Sequence, residues 1–182
     1  MSEPGSEEEL DAVSIVATFN KCGVKYVVIG AFAAQLHGAP IPRTRDIDVT
    51  PASDSANLKR LSAALRELQA RVRVADDLEG LPFDHDGPSL GRARVWNFTS
   101  PYGEFDISFV PSGTEGYDDL ARNAQVIESQ GEPVPVAHLD DVIRSKEAAG
   151  RPKDIVHLPI LLQTAQRRRM ENDRDAGLDI GF

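Results

Sequence analysis

The chain has 182 residues, of which 41% are hydrophobic and 27% charged, ordinary values for a globular protein with one well-formed core. A net charge of −9 excludes a surface that coats nucleic acid nonspecifically, and a single cysteine, Cys22, excludes an intrachain disulfide; four scattered histidines and that cysteine offer no zinc spacing. No apolar run reaches the roughly 20 residues of a membrane span, and the acidic start lacks the basic-then-apolar pattern of a secretory signal, so the expectation is a cytoplasmic protein with no membrane partner.

Ser6 and Glu9 stand in capping-box spacing for a helix running to about Lys21, with Gly23 as its C-cap. Tyr26-Val27-Val28-Ile29 is a continuous apolar run of the buried-strand type, ended by Gly30. Ala31–Leu36 suits a short helix, and Gly38–Pro42 reads as a loop. Ile47 and Val49 alternate with Asp46 and Asp48, which predicts a strand with one apolar and one acidic face. After Pro51, Leu58, Leu61, Leu65 and Leu68 recur at helical spacing.

Arg71–Val74 fits a strand, and Asp76–Arg92 reads as a loop rich in Gly, Pro and Asp. Val95–Phe98 and Phe105–Val110 read as strands joined by a hairpin through Ser100–Gly103. Further on, helices are expected at about Tyr117–Asn123, Leu139–Ala149 and Pro152–Arg168, the last kinked by Pro159. Short strands are expected at Val126–Ile127 and Val134–Val136. The fold class that follows is α+β, a small mixed sheet flanked by helices. Residues 1–112 would form the core unit with its N-terminal helix and residues 113–182 a mainly helical C-terminal part packed against it.

Asp46 and Asp48 carry the strongest chemical signal. Two carboxylates one residue apart on a strand project to the same face and repel each other unless a cation lies between them, which raises divalent metal chemistry. Taken alone, the pair is equally consistent with a solvated strand edge. Gly30 closes a buried strand and opens a helix, so N–H groups near Ala31 and Phe32 can meet phosphate oxygens. Asp106, flanked by Phe105 and Ile107, supplies a third strand-borne acid. Three such acids can hold two metal ions about 3.5–4 Å apart. Charge is also uneven: residues 1–11 hold five acids and no base, whereas Arg43–Arg73 hold seven bases against four acids, so a locally basic face can meet an anionic substrate.

The runs Tyr26–Gly38 and Arg43-Thr44-Arg45-Asp46-Ile47-Asp48-Val49, with Asp106 after them, resemble the DNA-polymerase-β-type nucleotidyltransferases, and more narrowly the AbiEii and MenT toxins. The stretch Ser145–Leu158, which contains Lys146, Lys153 and Asp154, resembles that family's lysine-bearing helix and the Arg-x-Lys-Asp segment after it. The resemblance implies a magnesium-dependent transfer of a nucleoside monophosphate from an NTP such as ATP, with two Mg2+ ions (or Mn2+) held by Asp46, Asp48 and Asp106. It implies a catalytic set of Asp46, Asp48, Asp106 and Lys146. The nucleotide would be held by Gly30, Ala31, Arg43, Thr44, Arg45, Lys146, Lys153 and Asp154. It further implies a toxin with a cognate antitoxin protein and the tRNA 3′ end as acceptor; a small hydroxylated molecule, a protein acceptor and a silent nucleotide-binding module are the alternatives.

The chain departs from the family pattern at two points. Gly30 is followed by Ala31 where the family often has Gly or Ser, which removes a hydroxyl from the phosphate seat and leaves the backbone donors. Pro42 occupies a position often held by Arg, flanked by Arg43 and Arg45, either of which can serve. A nucleophilic pair of Ser108 and His37 is disfavoured because no strained elbow surrounds either residue. Arg167-Arg168-Arg169 fits a favourable cluster near a helix end better than an RNA contact.

Overall fold

The computed structural model describes residues 9–178. Their order is α1 (Ala12–Lys21), β1 (Tyr26–Ile29), α2 (Gly30–Leu36), β2 (Asp46–Pro51), α3 (Ser55–Glu67), β3 (Arg71–Val74), β4 (Asp77–Leu81), α4 (Gly87–Leu90), β5 (Val95–Ser100), β6 (Gly103–Ser108), α5 (Tyr117–Ala121), β7 (Gln125–Ser129), β8 (Glu132–Val136), α6 (Leu139–Ala149) and α7 (Pro152–Leu178). The strands form one eight-stranded sheet in the order β4-β3-β5-β6-β2-β1-β8-β7. It is mixed: β2–β6 and β1–β8 are parallel pairs, and the remaining neighbours are antiparallel. The α+β class expected from the pattern is therefore the one observed, and β7 and β8 place part of the C-terminal region in that same sheet. No described helix is long and apolar enough to cross a membrane.

Alternation along the central strands sorts the side chains. On one face Ile47 pairs with Phe105, and Phe105 with Phe98, and all three are fully buried. Phe19 of α1 meets the edge of Phe105 with ring centroids 6.0 Å apart, while Phe98 and Phe105 lie at 5.3 Å. Leu61, Leu65 and Leu68 of the α3 segment join the same core. Because this face is committed to the core, a one-residue slip of β2 or β6 would bury the acids and expose the aromatics, so the register is strongly specified.

Local departures from the expected elements have identifiable causes. Helix α1 starts at Ala12 because the Asp11 carboxylate accepts from the Ser14 N–H at 3.0 Å, which is the capping interaction next to the first apolar turn. Glu9 lies before the helix, and Ser6 falls outside the described residues. The expected loop at 76–92 contains β4 and α4. Apart from Gly80, β4 is exposed throughout and carries no hydrophobic alternation, while α4 is a four-residue turn set by a capping box between Asp86 and Ser89. Strand β6 ends at Ser108, short of Val110. Helix α7 continues through Pro159 and past Arg168. Proline removes the bond to the carbonyl four residues back and crowds that carbonyl, and buried Leu161, Thr164 and Ala165 hold the turns that follow.

Phe105 touches both α1 and the neighbouring strand beneath the acid face. Phe105→Ala is expected to lower unfolding free energy by about 3–5 kcal/mol, measured by urea denaturation; a loss under about 1 kcal/mol would show that the core does not depend on this ring.

Candidate active site

The face opposite the aromatics carries the acids. The parallel register of β2 on β6 sets Asp48 directly beside Asp106 and Asp46 beside Glu104. One carboxylate oxygen from each of Asp46, Asp48 and Asp106 lies within 4.8 Å of the others, and all three residues are half-buried. Thr44 holds the first of them, its hydroxyl donating to Asp46 Oδ1 at 2.9 Å.

Gly30 adjoins the triad and has a role beyond ending a strand. Its φ is +77°, and a Cβ built there would fall 2.2 Å from Asp48 Oδ2 and 2.9 Å from Asp48 Cγ. Only glycine combines that backbone angle with that space, so Gly30 is the cradle that admits the Asp48 carboxylate. Helix α2 behind it has seven residues and no side-chain cap at Ile29. Its first-turn N–H groups, those of Ala31 and Phe32, are therefore left without a side-chain partner.

Crowding shows in the protonation of the acids. Burial, followed by the charges of Asp46 and Asp106, pushes the Asp48 carboxyl from 3.8 up to about 7, with Lys153 and Arg151 opposing. Burial raises Asp106 from 3.8 to about 6, opposed chiefly by Arg73 and reinforced by Asp46 and Glu104. Arg73 forks across both acids of β6, with Nη2 on Asp106 Oδ1 at 2.8 Å and Nη1 on Glu104. An all-oxygen donor set of this kind fits magnesium or manganese.

The remaining residues expected at the site take distinct places. Lys146 is buried, its Nζ 2.9 Å from Asp154 Oδ1. Asp154 is fully buried and also receives Arg151 Nε at 2.7 Å. Burial alone would raise the Asp154 carboxyl, but the hydrogen bonds from Arg151 and Lys146 outweigh it and hold the group below the usual range. Lys146 is linked through Asp154 to Arg151. The Arg151 guanidinium, in turn, is close enough to Asp48 and Asp46 to be raised by their charge. Lys153 is exposed and acts electrostatically on Asp48 and Asp106.

Arg43 is ion-paired with Glu9 at 2.5 Å, both side chains being exposed. Arg45 lines a cleft of about 450 Å³ with Phe32, Gln35 and Thr44, and also a larger groove of about 1130 Å³ with Arg71, Thr99 and Glu104.

Arg73 and Glu104 carry no sequence signal of a site, and Arg151 is the arginine of the Arg-x-Lys-Asp segment, to which the sequence assigns no role of its own. Alternation puts Arg71 and Arg73 on one strand face, but only the sheet order β3-β5-β6 brings Arg73 to Asp106. The disfavoured pair stays apart in role: His37 is buried with Nε2 on the Ala137 carbonyl at 2.7 Å. The three arginines tie α7 down, with Arg168 on the His37 carbonyl at 3.1 Å, Arg167 on that of Gly38 at 3.4 Å and Arg169 on Asp140 at 2.7 Å.

Solved structures share this architecture. The lincosamide antibiotic adenylyltransferase LnuA superposes with a TM-score of 0.57 at 12% identity, covering 90% of this chain and 99% of its own. The antibiotic-resistance factor ANT(2'')-Ia superposes with a TM-score of 0.54 at 15% identity, covering 92% of each chain. A candidate nucleotidyltransferase from Thermotoga maritima gives 0.52 at 18% identity, covering 84% of this chain and 90% of its own. The chain has the nucleotidyltransferase fold. No family model matches the sequence, and no curated protein matches it significantly.

The raised acids define a pH dependence. The folded protein keeps protons on Asp48 and Asp106 that an unfolded chain has already released, so with metal withheld its stability falls as pH rises from about 4 to about 7. Asp48→Asn is expected to flatten that fall and to be more stable than the parent at pH 8 in EDTA by about 1–3 kcal/mol. Urea unfolding across pH measures both, and a parent whose stability rises over this window would contradict the crowding.

Proposed function

We propose that this protein is a magnesium-dependent nucleotidyltransferase that moves a nucleoside monophosphate from an NTP to a hydroxylated acceptor and releases pyrophosphate. The observation that carries the reading is the convergence of Asp46, Asp48 and Asp106 from two paired strands of a sheet with the nucleotidyltransferase fold. Asp46 and Asp48 would hold both ions and Asp106 would complete one site. Bound there, the ions would neutralise charge on the attacking and leaving oxygens.

In the reaction, the acceptor oxygen bonds the α-phosphorus in line as the bond to pyrophosphate breaks. The hydroxyl proton would pass to Asp106, the third carboxylate of the site, acting as general base. Arg151 and Lys153 face the departing pyrophosphate, Arg151 being braced by Asp154 and Lys146 behind it. Backbone N–H groups of Ala31 and Phe32 add donors to the triphosphate. Catalysis rests on positioning and fixed charge.

For the acceptor, the sequence resemblance supports the tRNA 3′ end, acted on by a cytoplasmic toxin with its own antitoxin. A second reading, a small hydroxylated molecule, is supported by the fold shared with a lincosamide antibiotic adenylyltransferase and an antibiotic-resistance factor. The net charge of −9, which would attract a cationic acceptor, also supports it. Incubation with each α-labelled NTP, Mg2+ and either total RNA or an aminoglycoside panel shows which acceptor gains label.

Asp48→Asn is expected to lower that transfer by about 10³-fold or more with the fold intact by circular dichroism. Arg151→Gln is expected chiefly to raise KM for the NTP, by about tenfold. Undiminished transfer by Asp48→Asn would overturn the assignment.

A further inference from the structure

Arg73 is a cation in direct contact with the triad, and several features suit it to let go. It sits on β3 opposite the irregular stretch of the β3–β4 pairing, where the register shifts between Val72 and Val74 and the extra residues belong to β4. Across the sheet, Arg71 pairs with Thr99 and Thr99 with Glu104, which sets the next same-face step, Arg73, against Asn97 and Asp106. Its guanidinium has two anchors on β6, Glu104 and Asp106. The Glu104 side chain is 47% exposed and that of Arg73 27%, so the fork lies at the solvent margin of the sheet. Loss of the Asp106 contact leaves Arg73 still tethered to Glu104.

That arrangement matters because a guanidinium on Asp106 Oδ1 and a divalent ion compete for the charge of one carboxylate. A full positive charge 2.8 Å from Asp106 Oδ1 also repels a cation arriving between Asp46, Asp48 and Asp106. Arg151 and Lys153 bear on the site as well, but Arg151 is held by Asp154 and Lys153 acts without a contact to the triad among the described residues. Arg73 occupies a triad oxygen directly, Asp106 Oδ1.

Building on the metal reading above, we infer that Arg73 is a built-in counter-cation of the third carboxylate: it holds Asp106 while no metal is bound and retreats onto Glu104 when a divalent cation takes that ligand. Arg73 is in this sense a positioning residue that sets how readily the third ligand is released, and Glu104 is the place where it parks. The loaded site would therefore form at a higher metal concentration than the bare triad would require.

The test is direct Mn2+ binding by calorimetry to the full chain, with no nucleotide or turnover involved. Arg73→Gln is expected to bind Mn2+ about tenfold more tightly than the parent, equivalent to about 1.4 kcal/mol, whereas Arg73→Lys, which keeps the charge, stays within a few-fold of it. In an Asp106→Asn background the gain from Arg73→Gln should vanish, because the effect acts through that carboxylate. Unchanged or weaker binding by Arg73→Gln, or the same gain without Asp106, would overturn the inference while leaving the metal site in place. A parent that binds no Mn2+ would overturn the metal reading and this inference with it. If the glutamine variant does not fold, the parent answers alone: the Arg73 side-chain N–H resonance should shift as diamagnetic Mg2+ is added, and an unmoved resonance at saturation would refute the exchange.

Discussion

Like-charge crowding is the constraint on which the rest of the site depends. Parallel pairing of β2 with β6 puts Asp48 beside Asp106, and the period of a strand puts Asp46 on the same face. Three carboxylates in that space cannot all stay ionised in a metal-free protein without penalty, and the neighbouring residues can be understood as responses to it. Gly30 gives up its side chain so that Asp48 has somewhere to sit. Arg73 neutralises Asp106 from one side, and Arg151 with Lys153 opposes the charge from another. The buried Lys146–Asp154 pair then fixes Arg151. Such a pair adds little net stability but is costly to break, which suits it to holding a geometry.

Much of this was readable from the chain because it is local. Alternation in Asp46–Val49 and Phe105–Val110 predicts two strands with opposite faces, and the apolar run at Tyr26–Ile29 predicts the third. The leucine spacing after Pro51 gave α3. What escaped was nonlocal or unpatterned. Arg73 needs the order β3-β5-β6 before it has any relation to Asp106, and that order follows from pairing across the whole sheet. Strand β4 carries Asp77, Leu78 and Glu79 in the open and so has no periodic signature. Lys146 carried the right charge for a phosphate contact, but its burial against Asp154 could not be seen without the packing of α6 on α7.

Gly30 illustrates how a sequence signal can have a second physical reason that only the structure reveals. The glycine suggested close approach of a phosphate to backbone at a helix start. The structure shows close approach of a carboxylate, with Asp48 filling the space a Cβ would take. The two are compatible, since the backbone donors of Ala31 and Phe32 lie in the turn that follows. The demand for glycine, however, comes from the acid, so an Ala31 in place of a second glycine or serine leaves the carboxylate cradle untouched.

The account turns on whether two cations occupy the space between Asp46, Asp48 and Asp106 when a nucleotide is present. Crystals grown with Mn2+ and an NTP analogue blocked between the α- and β-phosphorus would show this by anomalous scattering. Two peaks about 3.5–4 Å apart, bounded by the three carboxylates and bridged by the triphosphate, are the predicted result. A nucleotide bound elsewhere, or a triad without an anomalous peak at saturating Mn2+, would contradict it.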